Sequence, residues 1–325
     1  MIMTRAFRFA VQAYRSQTAQ DWRSVVRRTE DLGYSTLNVA DHYIGQGPML
    51  DPTGHRVQTL AAIPAMAYAA ACTSSVRIGS RMLNVGYHHP AVLAKEVATL
   101  DVLSEGRLEL GLGAGWLANE YEAMGIEFGT PGERIKLLEE TVELITQVCA
   151  GRLVDVAGTQ VKAHGYHGVP VTPQSPRPPI MIGGGAPRVL RYAGGVADIV
   201  SINFNNRSGQ VGADSIATST SDETAQKVAW VAEGAAGRDQ LPELEIATYF
   251  LSVTGRSEVG ADALSARTGL STEELESFPH ALVGDVPQIV EELQRRREIY
   301  GFSYVTVGDA NLEAFAPVVA ALTGR

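Results

Sequence analysis

Short strand-like runs and longer helix-like segments alternate about eight times along this 325-residue chain, and few folds accommodate that rhythm. Strands are predicted where β-branched and other apolar residues cluster between turn signals, and helices where apolar residues recur every three or four positions. The predicted strands cover residues 7–12, 36–40, 76–80, 107–112, 179–183, 197–202, 245–253 and 304–307. Eight consecutive strand–helix units favour an α/β chain folded as a closed (β/α)8 TIM barrel.

An open Rossmann-like sheet is the alternative that the same alternation allows. That fold carries a glycine-rich phosphate fingerprint directly after its first strand. The corresponding residues 12–16 have the sequence QAYRS, which contains no glycine. The closed barrel is therefore the favoured architecture.

No internal repeat or linker divides the chain, so we predict a single TIM-barrel domain over residues 1–325 with two insertions. The first, at about 153–178, has the composition of a hairpin followed by a proline-rich lead. The second, at about 205–224, is rich in Gly, Ser and Thr and follows the predicted sixth strand. A segment of this length is either a functional lid or a disordered insertion, and composition does not separate the two. Our hypothesis is a lid over the barrel mouth.

Composition argues against several classes of function. The net charge is -9, with 27 Lys and Arg against 36 Asp and Glu, so we expect no nucleic-acid partner. Cys72 and Cys149 lack any paired spacing with other Cys or His, so we expect no metal site and two reduced thiols. Arg5 and Arg8 interrupt the N-terminal apolar stretch, and the apolar tract at 60–72 is shorter than the roughly 18 residues of a membrane span. We therefore expect a cytoplasmic protein that acts on a small molecule away from membranes.

Unusual residues follow four of the predicted strands. In a parallel barrel the carboxyl ends of all strands meet on one face, where barrel enzymes place their active sites. Side chains separated by some 140 positions would therefore line one pocket. The residues in question are Asp41, His42, Arg81, Met82, Asn84, Gly113, Trp116, Gly183, Gly184 and Gly185.

The Asp41-His42 pair closes the second strand and is the candidate catalytic pair. An unperturbed histidine titrates near pH 6.5, so His42 can donate or accept a proton at working pH, and a neighbouring carboxylate can fix its tautomer. We therefore assign Asp41 as the orienting partner of His42. The alternative is that Asp41 caps the next turn while His42 only fills the rim.

Two glycine-rich runs suggest a flat ligand with an anionic end. The run from Gly111 to Gly115 fails the dinucleotide pattern, because its third glycine would be residue 116, a tryptophan. In a barrel these glycines would let the strand approach a flat ring, with Trp116 as an apolar wall and Asn119 and Glu120 as polar contacts. The free amides of Gly183–Gly185, directly before a helix, could bind a phosphate. Close packing of the strand on a helix is the alternative for the first run, and a tight turn is the alternative for the second.

Five motifs together resemble the bacterial luciferase-like superfamily. They are FRFAVQ at strand one, NVADH at strand two, VRIGSRMLNVGYHHP around strand three, LSEGRLELGLGAGW at strand four and PPIMIGGGAP at strand five. The resemblance continues into EELQRRREIYGFSYVTV and FAPVVAAL, and it implies the TIM barrel. The combination is most similar to the branch that uses the deazaflavin coenzyme F420, although relatives that use FMN share most of these motifs. The resemblance also implies a cis peptide at Arg81–Met82, which would put a backbone bulge against the coenzyme ring, with Asn84 as a polar contact.

The resemblance leads to three functional hypotheses. The leading one is an F420-dependent oxidoreductase that transfers a hydride between the deazaflavin and an organic substrate. The second is a monooxygenase that uses reduced FMN and oxygen and depends on a separate reductase. The third is a non-catalytic flavin-binding protein.

Two departures from a known branch concern the substrate. Deazaflavin-dependent glucose-6-phosphate dehydrogenases have Glu where this chain has Trp116, and Trp where it has Gln46. We therefore expect a less polar substrate than a sugar phosphate. The resemblance further suggests a homodimer built on the second and third barrel helices, where the Ala-rich segment 61–71 would allow close packing.

Overall fold

The computed structural model describes residues 5–206, 209, 213–254, 265 and 270–325. Its strands are β1 (Arg8–Ala13), β2 (Thr36–Val39), β3 (Arg77–Ser80), β4 (Leu83–Asn84), β5 (Leu108–Gly113), β6 (Leu153–Ala157), β7 (Lys162–His167), β8 (Ile180–Gly184), β9 (Ile199–Ile202), β10 (Glu243–Thr248), β11 (Phe250–Val253), β12 (Ala281–Gly284) and β13 (Phe302–Gly308). Its helices are α1 (Ala19–Asp31), α2 (Ala62–Cys72), α3 (Pro90–Leu103), α4 (Ala118–Met124), α5 (Pro131–Cys149), α6 (Pro187–Val196), α7 (Ala213–Ala217), α8 (Ser221–Gly234), α9 (Thr272–Ser277), α10 (Val286–Tyr300) and α11 (Leu312–Leu322).

Parallel strands close a barrel in the order β1-β2-β3-β5-β8-β9-β10-β13, and β13 pairs back onto β1. Closure between the third and fourth barrel strands uses the pairing of Ile78 with Leu108. The strands are buried on both sides, as expected when helices cover a parallel sheet. The predicted (β/α)8 TIM barrel is confirmed, with strand limits that differ from the predicted ones by a few residues.

Local sequence explains where the helices begin. Thr18 and Thr130 form capping boxes with Asp21 and Glu133, so both ends of each box satisfy a free backbone amide. Proline occupies the first turn of α3, α5, α6 and α10, where its missing amide hydrogen costs nothing. These signals set the point at which the chain turns from the barrel mouth into each helix.

The predicted seventh strand, 245–253, was wrong as a single element. The chain pairs in the barrel only to Thr248, and β11 then pairs in parallel with β12 in a separate two-stranded sheet. Tyr249 stands between the two strands, and its hydroxyl donates to Oδ1 of Asn203 at 2.9 Å. The break places an aromatic side chain over the barrel mouth.

Both predicted insertions contain regular structure. The first holds an antiparallel hairpin of β6 and β7, followed by cis peptides before Pro170 and Pro176. The second, at about 205–224, contains α7 and the first turn of α8, while residues 207, 208 and 210–212 lie outside the described residues. Its role as a lid stays a prediction.

Buried charges fill the amino end of the barrel. Arg8 lies 2.7 Å from Oε2 of Glu109 and 2.6 Å from Oε2 of Glu243, and the Tyr304 hydroxyl donates to Oε1 of Glu109 at 2.7 Å. This network joins four barrel strands and closes that end. Open space is therefore found at the carboxyl ends of the strands.

None of the helices in the described part of the chain is long and apolar enough to cross a membrane. Cys72 is partly buried and Cys149 is buried, and both are free thiols.

Candidate active site

A cavity of about 1300 Å³ lies at the carboxyl ends of the barrel strands. Its wall contains residues from several of the loops that follow those strands. The ten residues that the sequence assigned to the site all line it: Asp41, His42, Arg81, Met82, Asn84, Gly113, Trp116, Gly183, Gly184 and Gly185. Asn119 and Glu120, expected as polar contacts, are not lining residues, and the Asn119 amide donates instead to the Met49 carbonyl oxygen. The convergence follows from the parallel barrel, whereas the role of each residue depends on its contacts.

His42 is held by Glu120, a residue of α4. The Nδ1 atom of the imidazole lies 2.8 Å from Oε2 of Glu120, and the side chains are 14% and 0% exposed. No hydrogen bond to the other ring nitrogen, Nε2, forms among the described residues, and the residue lines the cavity. His42 therefore has one nitrogen bonded to protein and one available to a ligand.

Glu120 remains ionised although it is buried. Burial alone would raise its pKa, but hydrogen bonds from His42, from the backbone amide of Tyr43 and from the Tyr87 hydroxyl outweigh that effect and hold the pKa of Glu120 at about 2. An ionised carboxylate can only accept hydrogen bonds. Nδ1 of His42 must therefore carry the hydrogen, which leaves a lone pair on Nε2 in the neutral ring.

Asp41 does not have the predicted role of orienting His42. Its Oδ2 atom accepts hydrogen bonds from the backbone amide of Asn84 at 2.9 Å and from Nε2 of His88 at 2.8 Å. The imidazole of His42 is bonded instead to Glu120, so the two neighbouring side chains have different partners. Asp41 instead fixes the backbone just beyond Met82.

The Arg81–Met82 peptide bond is cis, as the resemblance implied. The Met82 side chain fills the space beside two glycines: a Cβ at Gly183 would lie 2.2 Å from Met82 Cε, and one at Gly113 would lie 3.3 Å from Met82 Cβ. These glycines therefore allow the methionine to lie in the cavity wall.

Arg81 is buried and bonded to protein groups. Its guanidinium donates to Oε1 of Glu245 at 2.9 Å, and its two terminal nitrogens donate to side-chain oxygens of four other residues. Those acceptors belong to Gln12, Tyr249, Ser201 and Asn203. Burial opposes the charge, but Glu245 and the surrounding hydroxyls raise the pKa of Arg81 further above its ordinary value. These hydrogen bonds fix the position of Arg81, the first residue of the cis peptide.

Gly183, Gly184 and Gly185 are required by packing. Cβ atoms there would lie 2.2 Å from Met82 Cε, 2.4 Å from Val189 Cγ1 and 2.3 Å from the Phe204 carbonyl oxygen. Close packing thus accounts for all three glycines, whereas a tight turn was the alternative that the sequence suggested for this run. The helix that follows, α6, has no side-chain cap, so its first amides can still bind an anion. The phosphate site stays a prediction.

Sequence reasoning missed three contributors to the site. Glu120 was expected as a polar contact but not as the partner of His42, and neither His88 nor His55 was given a role. His55 lies in the loop after β2, and its ring centroid is 4.0 Å from that of His42. Glu120 had a usable signal, since it follows the fourth barrel strand at the mouth. Among the described residues, no cluster of three His, Cys, Asp or Glu side chains could hold a metal ion.

The chain is similar in sequence to a known family and to several known enzymes. Residues 1–276 match the sequence profile of the family described as luciferase-like monooxygenase. The chain is 34% identical over 175 residues to an F420-dependent glucose-6-phosphate dehydrogenase of Amycolatopsis mediterranei (strain U-32), a match that covers 53% of this chain and 49% of that protein. It is 32% identical over 174 residues to the enzyme of that name from Microbacterium testaceum (strain StLB037), covering 52% and 48%. The chain thus spans about half the length of the curated relatives it matches.

Solved structures share the fold at low sequence identity. The coenzyme F420-dependent tetrahydromethanopterin reductase from Methanopyrus kandleri superposes with a TM-score of 0.76 at 19% identity, over 98% of this chain and 100% of that one. An F420-dependent secondary alcohol dehydrogenase in complex with an F420-acetone adduct gives 0.77 at 18% identity, over 98% and 99%. A monooxygenase from Streptomyces bottropensis gives 0.73 at 20% identity, over 97% and 99%. These likenesses bear on the fold, and the profile match establishes that the chain belongs to the luciferase-like monooxygenase family.

Proposed function

We propose that this chain is an F420-dependent oxidoreductase in which His42 accepts or donates the proton that accompanies hydride transfer. The observation that carries the proposal is the His42–Glu120 pair on the wall of a cavity that also contains the Met82 bulge. The names of the relatives that cover half of the chain point to the same coenzyme.

The cavity residues fit a tricyclic coenzyme. A volume of about 1300 Å³ exceeds what such a ring needs, and Gly113 and Gly183 add no side chain of their own to the wall beside Met82. We assign Met82, Asn84, Gly113 and Trp116 to contacts with the ring, and the amides at Gly183–Gly185 to its phosphate. When bound, the deazaflavin supplies a carbon that gives or takes a hydride.

The protein itself contributes a histidine placed for proton transfer and a rigid cavity wall around Met82. Nδ1–H of His42 donates to ionised Glu120, so Nε2 can accept a proton from an alcohol or, once protonated, donate one to a carbonyl oxygen. Asp41 and Arg81 hold the backbone on either side of Met82 and act as positioning residues. The buried carboxylate stabilises the imidazolium that forms during the transfer.

The substrate named for the relatives is not assumed for this chain. Trp116 stands where the glucose-6-phosphate dehydrogenases have Glu, and Trp116 lies beside His42 with ring centroids 6.2 Å apart. An aromatic wall at that point favours a less polar substrate than a sugar phosphate.

Comparative titration tests the coenzyme. Purified protein is titrated with F420 and with FMN while ring fluorescence is followed, and we expect tighter binding of F420. His42→Ala should lower turnover by about 100-fold or more. His164→Ala is the matched control, because that side chain is fully exposed on the hairpin and should turn over normally. Near-normal turnover in the His42 variant removes it from the proton-transfer role.

A reduced-FMN monooxygenase with a separate reductase is the second candidate, favoured by the family to which the chain belongs and by its likeness to a solved monooxygenase. Oxygen consumption with reduced FMN and a candidate substrate separates the two. Tight coenzyme binding without turnover in either assay would favour a non-catalytic flavin-binding protein.

We further propose that the chain works as a homodimer in the cytoplasm. Large apolar side chains are exposed on α3 and the adjoining hairpin segment, namely Val92, Leu153, Val169 and Val171, and a second copy would cover them. Light scattering coupled to size exclusion tests this proposal. Val92→Asp should shift the protein towards monomer, and an unchanged mass would argue against this face.

A further inference from the structure

His55 joins His42 and Trp116 in a cluster of three rings on the cavity wall. The ring centroids of His55 and Trp116 lie 5.5 Å apart at 60°, and both rings pack against His42. His42 and His55 belong to the loop after β2 and Trp116 to the loop after β5, and all three residues line the cavity. A ligand that contacts the His42 ring therefore lies close to His55.

The two nitrogens of His55 have different surroundings. Nδ1 is buried and has no hydrogen-bond partner among the described residues, so Nε2 is the nitrogen that a ligand in the cavity can reach. Burial, followed by the nearby charge of His42, lowers the pKa of His55 to about 3. The ring is therefore neutral at pH 7, with one donor and one acceptor nitrogen.

The charged groups near the His42–His55–Trp116 cluster either form hydrogen bonds with protein groups or lie at the edge of the cluster. The carboxylate of Glu120 is taken up by His42, Tyr87 and backbone amides. Arg56, the residue after His55, is exposed and also lines the cavity. A neutral histidine beside a tryptophan suits a neutral oxygen on an apolar body, whereas an anionic ligand would have to bind elsewhere on the lining, at Arg56 or Arg134.

We propose that His55 is a substrate-binding residue, whose Nε2 forms a hydrogen bond to an oxygen of the substrate while Trp116 covers a flat apolar part. The substrate class is then an uncharged alcohol or carbonyl compound with a planar group. This inference rests on the proposed function and adds the kind of compound that the enzyme takes. His42 and His55 would flank the oxygen from two sides.

Binding to the protein without coenzyme provides the test. The probes are 1-phenylethanol, ethylbenzene and glucose 6-phosphate, and the signal is the fluorescence of Trp116, which Trp116→Phe identifies against Trp22 and Trp230. His55→Phe keeps an aromatic ring but removes both nitrogens. It should weaken 1-phenylethanol binding by about five- to tenfold, leave ethylbenzene binding unchanged, and leave F420 affinity within about twofold.

Each outcome decides one point. Equal binding of 1-phenylethanol to wild type and His55→Phe overturns the hydrogen bond. Binding of glucose 6-phosphate in preference to 1-phenylethanol, lost in Arg56→Ala, overturns the substrate class, as does a wild-type protein that binds F420 but not 1-phenylethanol. Failure of the wild type to bind F420 contradicts the proposed function instead, so the two failures are distinguishable.

Discussion

Nδ1 of His42 lies 2.8 Å from Oε2 of Glu120, although 78 positions separate the two residues in the chain. The carboxylate is buried and also accepts hydrogen bonds from two backbone amides and from Tyr87. A charge held in this way can orient the imidazole and stabilise its protonated form. The adjacent Asp41 performs neither task.

The substitution Glu120→Gln separates the effect of the negative charge at residue 120 from the effect of its position beside His42. The amide has nearly the same shape but no negative charge, so the imidazolium loses its stabilising partner. We expect turnover to fall by about 10- to 100-fold while the coenzyme still binds. Steady-state kinetics and F420 titration measure the two effects. Tyr87→Phe removes another hydrogen bond to the same carboxylate, and a loss as large as that of Glu120→Gln would contradict the assignment.

Stability at acid pH should also report on Glu120. Its folded pKa is about 2, below the roughly 4.3 of an unfolded glutamate, so its ionised form stabilises the fold above that range. The contribution is lost as pH falls from about 4.3 towards 2. Denaturant unfolding of wild type and Glu120→Gln between pH 7 and pH 3 should show a free-energy difference that is constant at first and then shrinks. A difference independent of pH would show that the low pKa is absent.

Asp41 is expected to affect structure more than proton transfer. Asp41→Ala leaves the buried amide of Asn84 and the ring of His88 without their acceptor, which should cost about 1–3 kcal/mol in unfolding free energy. Asp41→Asn keeps one acceptor oxygen and should cost less. Chemical denaturation measures the loss, and F420 titration should show weaker binding in Asp41→Ala. If Asp41→Ala were as stable as His42→Ala, the positioning role would be wrong.

The glycines at the end of β8 offer a matched pair of substitutions. A Cβ at Gly183 meets the flexible end of Met82, whereas one at Gly185 meets the backbone carbonyls of Phe204 and Asn203 at 2.3 and 2.6 Å. Met82 can change rotamer and a carbonyl cannot. Gly185→Ala should therefore lower the unfolding free energy by about 1–3 kcal/mol, and Gly183→Ala should lose less stability but bind F420 more weakly. The reverse order in thermal unfolding would contradict this packing.

The fold was predictable from sequence because the alternation of strand and helix patterns is local. The break at Tyr249 was not, because the apolar run continues through it and only the change of strand partner shows where the barrel strand ends. The same contrast holds at the site. Convergence of the strand ends follows from topology, so ten scattered residues could be assigned to one cavity.

Which side chains become hydrogen-bond partners depends on their orientation in space, and a single sequence does not show that orientation. Asp41 is the obvious neighbour of His42 in the chain, yet its carboxylate binds Asn84 and His88, and the partner of His42 is Glu120 on α4. His55 had no signal at all, since its loop has neither strand nor helix periodicity. The Arg8 network was equally unpredictable, because the pairing of residues on different barrel strands depends on the register.

Lys227 provides a prediction outside the cavity lining. Its ammonium group is buried on α8 and donates to the Asn203 carbonyl at 2.7 Å and to the Ser219 hydroxyl at 2.8 Å. Burial lowers its pKa to about 8, against a smaller opposite effect of Glu223. The folded protein therefore releases this proton more readily than the unfolded chain, whose lysines titrate near 10.4.

The sign of the effect follows from the protons bound in each state. Between about pH 8 and pH 10.4 the unfolded chain binds more protons at this position, so stability contributed by Lys227 rises with pH. Lys227→Met cannot titrate and lacks that rise. Between pH 7.5 and pH 10, we expect the unfolding free energy of the wild type to rise by up to about 3 kcal/mol relative to that of Lys227→Met. Guanidinium titrations across that range measure the gain, and parallel curves for the two proteins would mean that the amine is not desolvated.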